Sequence, residues 1–159
     1  MTNLVTGLVS WFQSRNDFAS FMGSYVSGNT TQYGPFLNLA PEAVATSGPI
    51  HPYTTLQTFG RPMDQGFINV GRSTPYVEKP LIRIQLWDLR NLRCMQNIEK
   101  VIAALDSRPS IPLTAPDIIL SIVREENAQS IPQPIGRSGA RVYMWVIDYE
   151  FRVQRTVGS

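Results

Sequence analysis

The stretch LIRIQLWDLRNLRCMQNIEKVIAALD, residues 81–106, changes its period part-way along, and that change sets the fold class. Over 81–87, Ile82, Ile84 and Leu86 alternate with Arg83, Gln85 and Trp87, the period of two expected of a strand with one buried face. Asp88 to Asn91 turn the chain and can cap a helix. From about 89 to 106 the apolar residues Leu92, Met95, Ile98, Ile102 and Leu105 recur every three or four positions. That spacing predicts a helix burying this stripe, and Pro109 and Pro112 prevent its continuation. A half-buried strand and an amphipathic helix in succession call for a sheet with a helical layer upon it.

Upstream, Leu4, Val5, Leu8, Val9 and Phe12 share a helical stripe that Thr2 or Asn3 can cap. Phe18, Phe21 and Met22 predict another turn or two of helix, ending near Gly23 or Gly28. Residues 27–52 read as loop, punctuated by Gly28, Gly34, Pro35, Pro41, Gly48, Pro49 and Pro52. PYTTLQTFG, residues 52–60, is a strand rich in β-branched and aromatic residues, and 60–80 is a second long loop.

Downstream, DIILSIVRE, residues 117–125, barely alternates and predicts a strand covered on both faces. A polar connection over 126–140 leads into RVYMWVIDYEFRVQR, residues 141–155. There Tyr143, Trp145, Ile147, Tyr149, Phe151 and Val153 share one face, and Asp148, Glu150, Arg152 and Gln154 share the other. At roughly 3.3 Å per residue this strand is near 50 Å long, so its ends are expected to bend or to project into neighbouring subunits. The expectation is one α+β domain over 1–159, in α-β-β-α-β-β order. Its mixed, mainly antiparallel sheet has about four strands, with helices on one face and long loops.

The bulk composition removes several kinds of chemistry. At 159 residues with 43% apolar content the chain suits a single globular domain. It contains no run of eighteen apolar residues to span a membrane. The N-terminus lacks the features of a signal peptide, so the chain is expected to be made in a cytoplasm. One cysteine, Cys94, and one histidine, His51, leave no disulfide framework and no Cys- or His-based metal cluster. Cys94 is expected to be a small, partly buried apolar residue, and His51 a loop residue at the start of a strand.

The net charge of +2 is small, and Lys79 and Lys100 are the two lysines among fourteen cations. Arg137, Arg141, Arg152 and Arg155 are balanced locally by Glu125, Glu126, Asp148 and Glu150. A basic block for phosphate neutralisation is therefore missing, whereas arginine suits bidentate pairing with carboxylates at protein interfaces. No phosphate-binding loop appears; GRSGAR, residues 136–141, precedes a strand instead of opening a helix. Asp148 and Glu150, at i and i+2, could meet a metal, but their interleaving with Arg152 and Gln154 fits a solvated or subunit-facing surface better. Trp87 is either tucked under a loop at the strand end or an aromatic anchor at a subunit contact.

Together these elements resemble the tail-terminator and tail-completion proteins of tailed phages. The resemblance is carried by the N-terminal helix, the isolated strand PYTTLQTFG, and IRIQLWDLRNLRCMQNIEKVIAALD. It is completed by the closing strand RVYMWVIDYEFRV, of pattern R-x-Y-x-x-x-x-D-[YF]-x-[FV]-x-V. It covers residues 1–22, 51–60 and 80–155, and the segments 23–50 and 61–79 depart from it.

The resemblance implies a virion protein of the neck with no catalytic, cofactor or metal residues. Such a subunit forms a hexameric ring that ends tail-tube growth and joins the tail to the head connector. Its partners would be copies of itself, the tail tube protein and the connector or stopper protein, with no membrane, and with DNA only passing through. Arg83, Trp87, Arg137, Glu150 and Arg152 are expected at or near subunit contacts, as are the loops 61–79 and 126–140. Three alternatives stay open: another neck ring such as a stopper or adaptor, a nucleic-acid-binding module, or a small oligomeric enzyme.

Overall fold

The computed structural model describes residues 2–38, 51–59, 75–133 and 141–156. Helix α1, Thr2–Ser14, is followed by a 3-10 turn at Asn16–Phe18 and a short α2, Ala19–Met22. A hairpin of β1, Ser24–Ser27, and β2, Thr30–Tyr33, comes next, then β3, Phe36–Leu37, and β4, Tyr53–Phe59. β5, Pro75–Glu78, and β6, Leu81–Asp88, lead into α3, Asn91–Asp106. The chain ends with β7, Ile118–Arg124, β8, Gln129–Pro132, and β9, Tyr143–Thr156. The fold is α+β, as the periodicities predict.

β9 is the axis of the main sheet. One of its edges pairs antiparallel with β6 along Tyr143–Glu150 and with β5 along Val153–Thr156. The other pairs with β8 along Tyr143–Val146 and with β7 along Tyr149–Gln154. β4 extends the sheet beyond β6, and the two-residue β3 adds a parallel pair on β4. The long final strand thus does not project: two strands placed end to end flank each of its edges. Pro80 marks the break between β5 and β6, and its carbonyl takes the Phe151 N–H at 3.0 Å.

Alternation assigns one face of this sheet to the core. Ile82, Ile84 and Leu86 lie opposite Tyr149, Ile147 and Trp145. All but the partly buried Trp145 are closed to solvent, together with Leu56, Phe151 and Val153. The helices cover that face. α1 contributes Leu4, Leu8, Trp11 and Phe12, and the following turn adds Phe18 and Phe21. Trp11, Phe12 and Phe18 pack with ring centroids 5.2–5.7 Å apart, the edge-on and tilted arrangements favoured by aromatic quadrupoles. Each such side chain withdrawn from water contributes about 1.5–3 kcal/mol before conformational entropy is subtracted, and Asn3 adds polar ties to Thr114 and Asp117 just ahead of β7.

Three features differ from the sequence-based expectation. First, α3 is rotated: Cys94, Asn97, Ile98, Val101, Ala104 and Leu105 are buried, while Leu92 is exposed and Met95 and Ile102 are half-buried. The turn after β6 sets the rotation, and apolar spacing alone could not choose between two overlapping stripes. Second, β2, β5 and β8 lie in stretches that read as loop, and β1 lies where the second helical cluster was expected to end. These are four-residue strands with much polar or exposed surface, too short to establish a period. The hairpin still carried a signal in Ser27-Gly28-Asn29-Thr30: Ser27 pairs with Thr30 across a two-residue turn whose Gly28 has φ +60°. Third, β7 is not covered on both faces.

That third correction matters most. Ile119 and Ile122 face the helices, but Ile118, Leu120 and Val123 remain 50%, 49% and 45% exposed. An apolar run has the same composition whether its second face is covered or bare. Among the described residues β7 pairs with β9 alone, so its other side is an edge of the sheet.

Candidate subunit interface

The face of the sheet that carries no helix among the described residues gathers most of the residues expected at contacts. Arg83 and Trp87 project from β6, and Glu150 and Arg152 from the same face of β9. Arg83 faces Asp148 across the strand pair and donates from Nε and one terminal nitrogen at 2.9 and 2.8 Å. This is the bidentate geometry for which a guanidinium is suited. The pairing raises the pKa of Arg83 against the opposing effect of desolvation. The Arg83 guanidinium also lies 5.2 Å from the Phe59 ring centre. Both partners keep solvent contact, so the pair orders this face more than it stabilises the fold.

Trp87 is held within its own chain. Its ring stacks on Tyr53 at 5.8 Å with 12° between planes. Its Nε1–H donates to Thr55 Oγ1 at 3.2 Å, and Thr55 in turn donates to Gln85 Oε1 at 2.9 Å. The indole therefore lies along the sheet and remains partly open to solvent. Burial in this stack pushes the Tyr53 hydroxyl up to about 12. Glu150 is buried, in contrast to a freely solvated strand face, with Arg152 Nε 3.4 Å from its carboxylate. Arg137 lies outside the described residues, as do residues 61–74 and 134–140 of the two loops expected at contacts. Of the remainder, β5 and β8 pair with β9.

The sequence marks Asp88 to Asn91 as a turn that can cap a helix, but the pairing that Asp88 makes there was not foreseen. The Asp88 side chain is fully buried and accepts from the backbone N–H of Leu89 and Arg90 at 2.6 and 3.3 Å. Both Nε and a terminal nitrogen of Arg93 also donate to it. Desolvation pushes the Asp88 carboxyl upward, but the Arg93 and backbone hydrogen bonds outweigh it, and the net shift is below the usual carboxylate value. The D-x-x-x-x-R spacing across a strand–helix turn was the available signal. Cys94, one turn into α3, is buried, with its Sγ 3.1 Å from the Leu86 carbonyl. Burial raises its thiol to about 12.

Two hollows flank these surfaces. One, of about 590 Å³, lies between α1, α2 and the base of the β1–β2 hairpin, with Arg15, Tyr33 and His51 on its wall. Arg15 is engaged by Asp17 at 2.6 Å and lies over the Phe18 ring at 4.8 Å. Burial lowers the His51 pKa, with the Trp87 backbone and Asp88 opposing that shift. The other, of about 300 Å³, runs beside β7 and is lined by Arg108, Ile111, Leu113 and residues of β7 itself. Among the described residues no group of three or more His, Cys, Asp or Glu side chains could hold a metal ion. No helix among them is long and apolar enough to cross a membrane. No protein-family model matches the chain, and no curated protein matches it.

Proposed function

We propose that this chain is a structural subunit of a tailed-phage neck, of the tail-terminator type. Copies of it close into a ring at the head-proximal end of the tail tube, end tube growth, and join the tail to the connector at the head. The reading assigns it no reaction. The observation that carries it is strand β7, which among the described residues pairs with β9 alone and presents Ile118, Leu120 and Val123 to solvent. An exposed, uncharged apolar edge is a template for pairing with another chain, and monomeric proteins ordinarily blunt it. The ordered polar face adds a second surface, where Arg83, Trp87 and Arg152 are of residue types favoured at protein contacts.

Cyclic contacts between unlike surfaces close into rings without leaving a growing end, which is the property a terminator requires. The test is imaging of the purified protein by negative stain, together with light scattering, with and without tail tubes. Hexameric rings seated on tube ends, with tube length limited, are expected. Twelvefold rings that bind the head and ignore tubes would replace the terminator by an adaptor. Monomers inert toward tubes would overturn the reading.

A further inference from the structure

We propose that the ring is closed by strand addition: the β1–β2 hairpin of one copy pairs through β2 with the edge of β7 in the next copy, the edge that no other strand pairs among the described residues. The proposal deepens the ring reading and rests on it. Three features of the hairpin carry it.

The first is its isolation. β1 and β2 form a separate two-stranded sheet, every residue of β2 is exposed, and Val26 and Tyr33 are 58% and 68% exposed. A hairpin of two short strands is marginal in water unless a further strand or layer supports it.

The second is its rooting. Gly23, at φ +80°, sits so close to Tyr53 that a Cβ would collide with that residue, and a Cβ on Gly34 would collide with the Met22 carbonyl. The Gly34 N–H donates to the Gly23 carbonyl at 2.9 Å, and Gln13 Nε2 donates to the Gly34 carbonyl at 3.2 Å. The base is therefore locked to the body while both strands extend from it, an arm held in a defined direction. Such an arm loses little freedom on docking, which favours binding through preorganisation.

The third is matched character. Residues 18–38 contain no Asp, Glu, Lys or Arg, and neither does the Ile118–Val123 segment of β7. Over these segments both strands lack the charged side chains by which exposed strands avoid partners, and Arg124, which ends β7, is paired with Asp106 at 3.5 Å. The four residues of β2 also fit within the seven-residue length of β7. Val26 and Tyr33 on the arm supply apolar surface for Ile118, Leu120 and Val123 on the edge. Because the arm and the edge are different surfaces, each copy gives one and receives one, a head-to-tail contact that makes a ring when its rotation closes and a filament when it does not.

Cross-linking with a short bismaleimide tests the placement, since the buried Cys94 should stay silent. Copies bearing Thr31→Cys are mixed with copies bearing Leu120→Cys, and a second pair, Val26→Cys and Val123→Cys, guards against a local defect. Far-UV circular dichroism checks folding, and sedimentation checks assembly. Covalent dimers are expected from each mixture and not from any variant alone, and a ladder up to the ring number from a chain carrying both changes. Dimers from Leu120→Cys alone would mean edge meets edge and would overturn the proposal. Mixtures that sediment as rings yet give no cross-link would sink the arm-to-edge contact while leaving the ring reading intact. Failure of every variant and of the unaltered chain to assemble, on tubes or off them, would remove the ring reading itself and the proposal with it.

Discussion

Replacing Asp88 by Asn should destabilise the fold by about 2–3 kcal/mol at neutral pH, and the deficit should shrink in acid. The carboxylate is fully buried and accepts four hydrogen bonds, two from Arg93 and two from backbone N–H groups. Asn keeps one acceptor oxygen, but turns an NH2 group toward donors and removes the charge. Charge-assisted hydrogen bonds contribute about 1.5–3 kcal/mol each and a broken buried pair costs about 3–5 kcal/mol. The lower figure is appropriate because Arg93 is 42% exposed and can turn to water.

For a chain of this size each kcal/mol moves the melting temperature by about 2–4 °C, so a drop of about 5–10 °C is expected. The pH dependence has a fixed sign. Folding lowers the Asp88 pKa from its usual 3.8, so the unfolded chain binds more protons in that window and stability rises with pH through it. The contribution is full above the unfolded value and is lost as pH falls through the folded one. Urea titrations of both proteins at intervals from pH 7 to pH 2.5 measure it. A deficit under about 0.5 kcal/mol at pH 7, or one that persists undiminished in acid, would refute this role for Asp88.

Leu120→Lys should leave circular dichroism unchanged and weaken assembly by on the order of 100-fold per contact, read by sedimentation velocity. It puts a charge on a half-exposed edge position where pairing would otherwise bury the remaining apolar surface. Trp87→Ala combined with Arg152→Glu should likewise preserve secondary structure while loosening the ring; unchanged sedimentation would remove the helix-free face from the contacts. Cys94 should react with a thiol reagent at pH 8 only on unfolding, because it is buried and its thiol is raised to about 12. Above pH 9 the unfolded chain loses that proton while the folded chain keeps it, so stability should fall as pH rises, visible as an alkaline decline in melting temperature.

The parts of the fold legible in the sequence are those where a period persists. LIRIQLW declared its buried face through alternation, and RVYMWVIDYEFRV did the same over most of a longer strand. Leu4, Leu8 and Phe12 marked the contact face of α1, although Trp11, which shares that burial, was not distinguished. Short elements were opaque because four residues cannot show a period, and β5 and β8 owe their existence to β9 beside them.

The exposed face of β7 was misread for a different reason. IILSIV has the composition of a doubly covered strand, and only the sheet order reveals that no other strand among the described residues pairs beyond it. Of the expected contact residues, Arg83, Trp87, Glu150 and Arg152 share one face because strand alternation and pairing put them there. The Arg83–Asp148 pair and the Trp87–Tyr53 stack depend on cross-strand register, which one strand's sequence does not contain.

The central claim is that uncovered strand edges let copies of this chain join into a closed ring that ends a tail tube. Adding the purified protein to growing tail tubes and measuring tube lengths by negative-stain microscopy tests it most directly. The account predicts sixfold rings on capped ends, tubes that stop lengthening, and loss of capping with Leu120→Lys. Tubes that grow at an unchanged rate beside an unassembled, folded chain would contradict it.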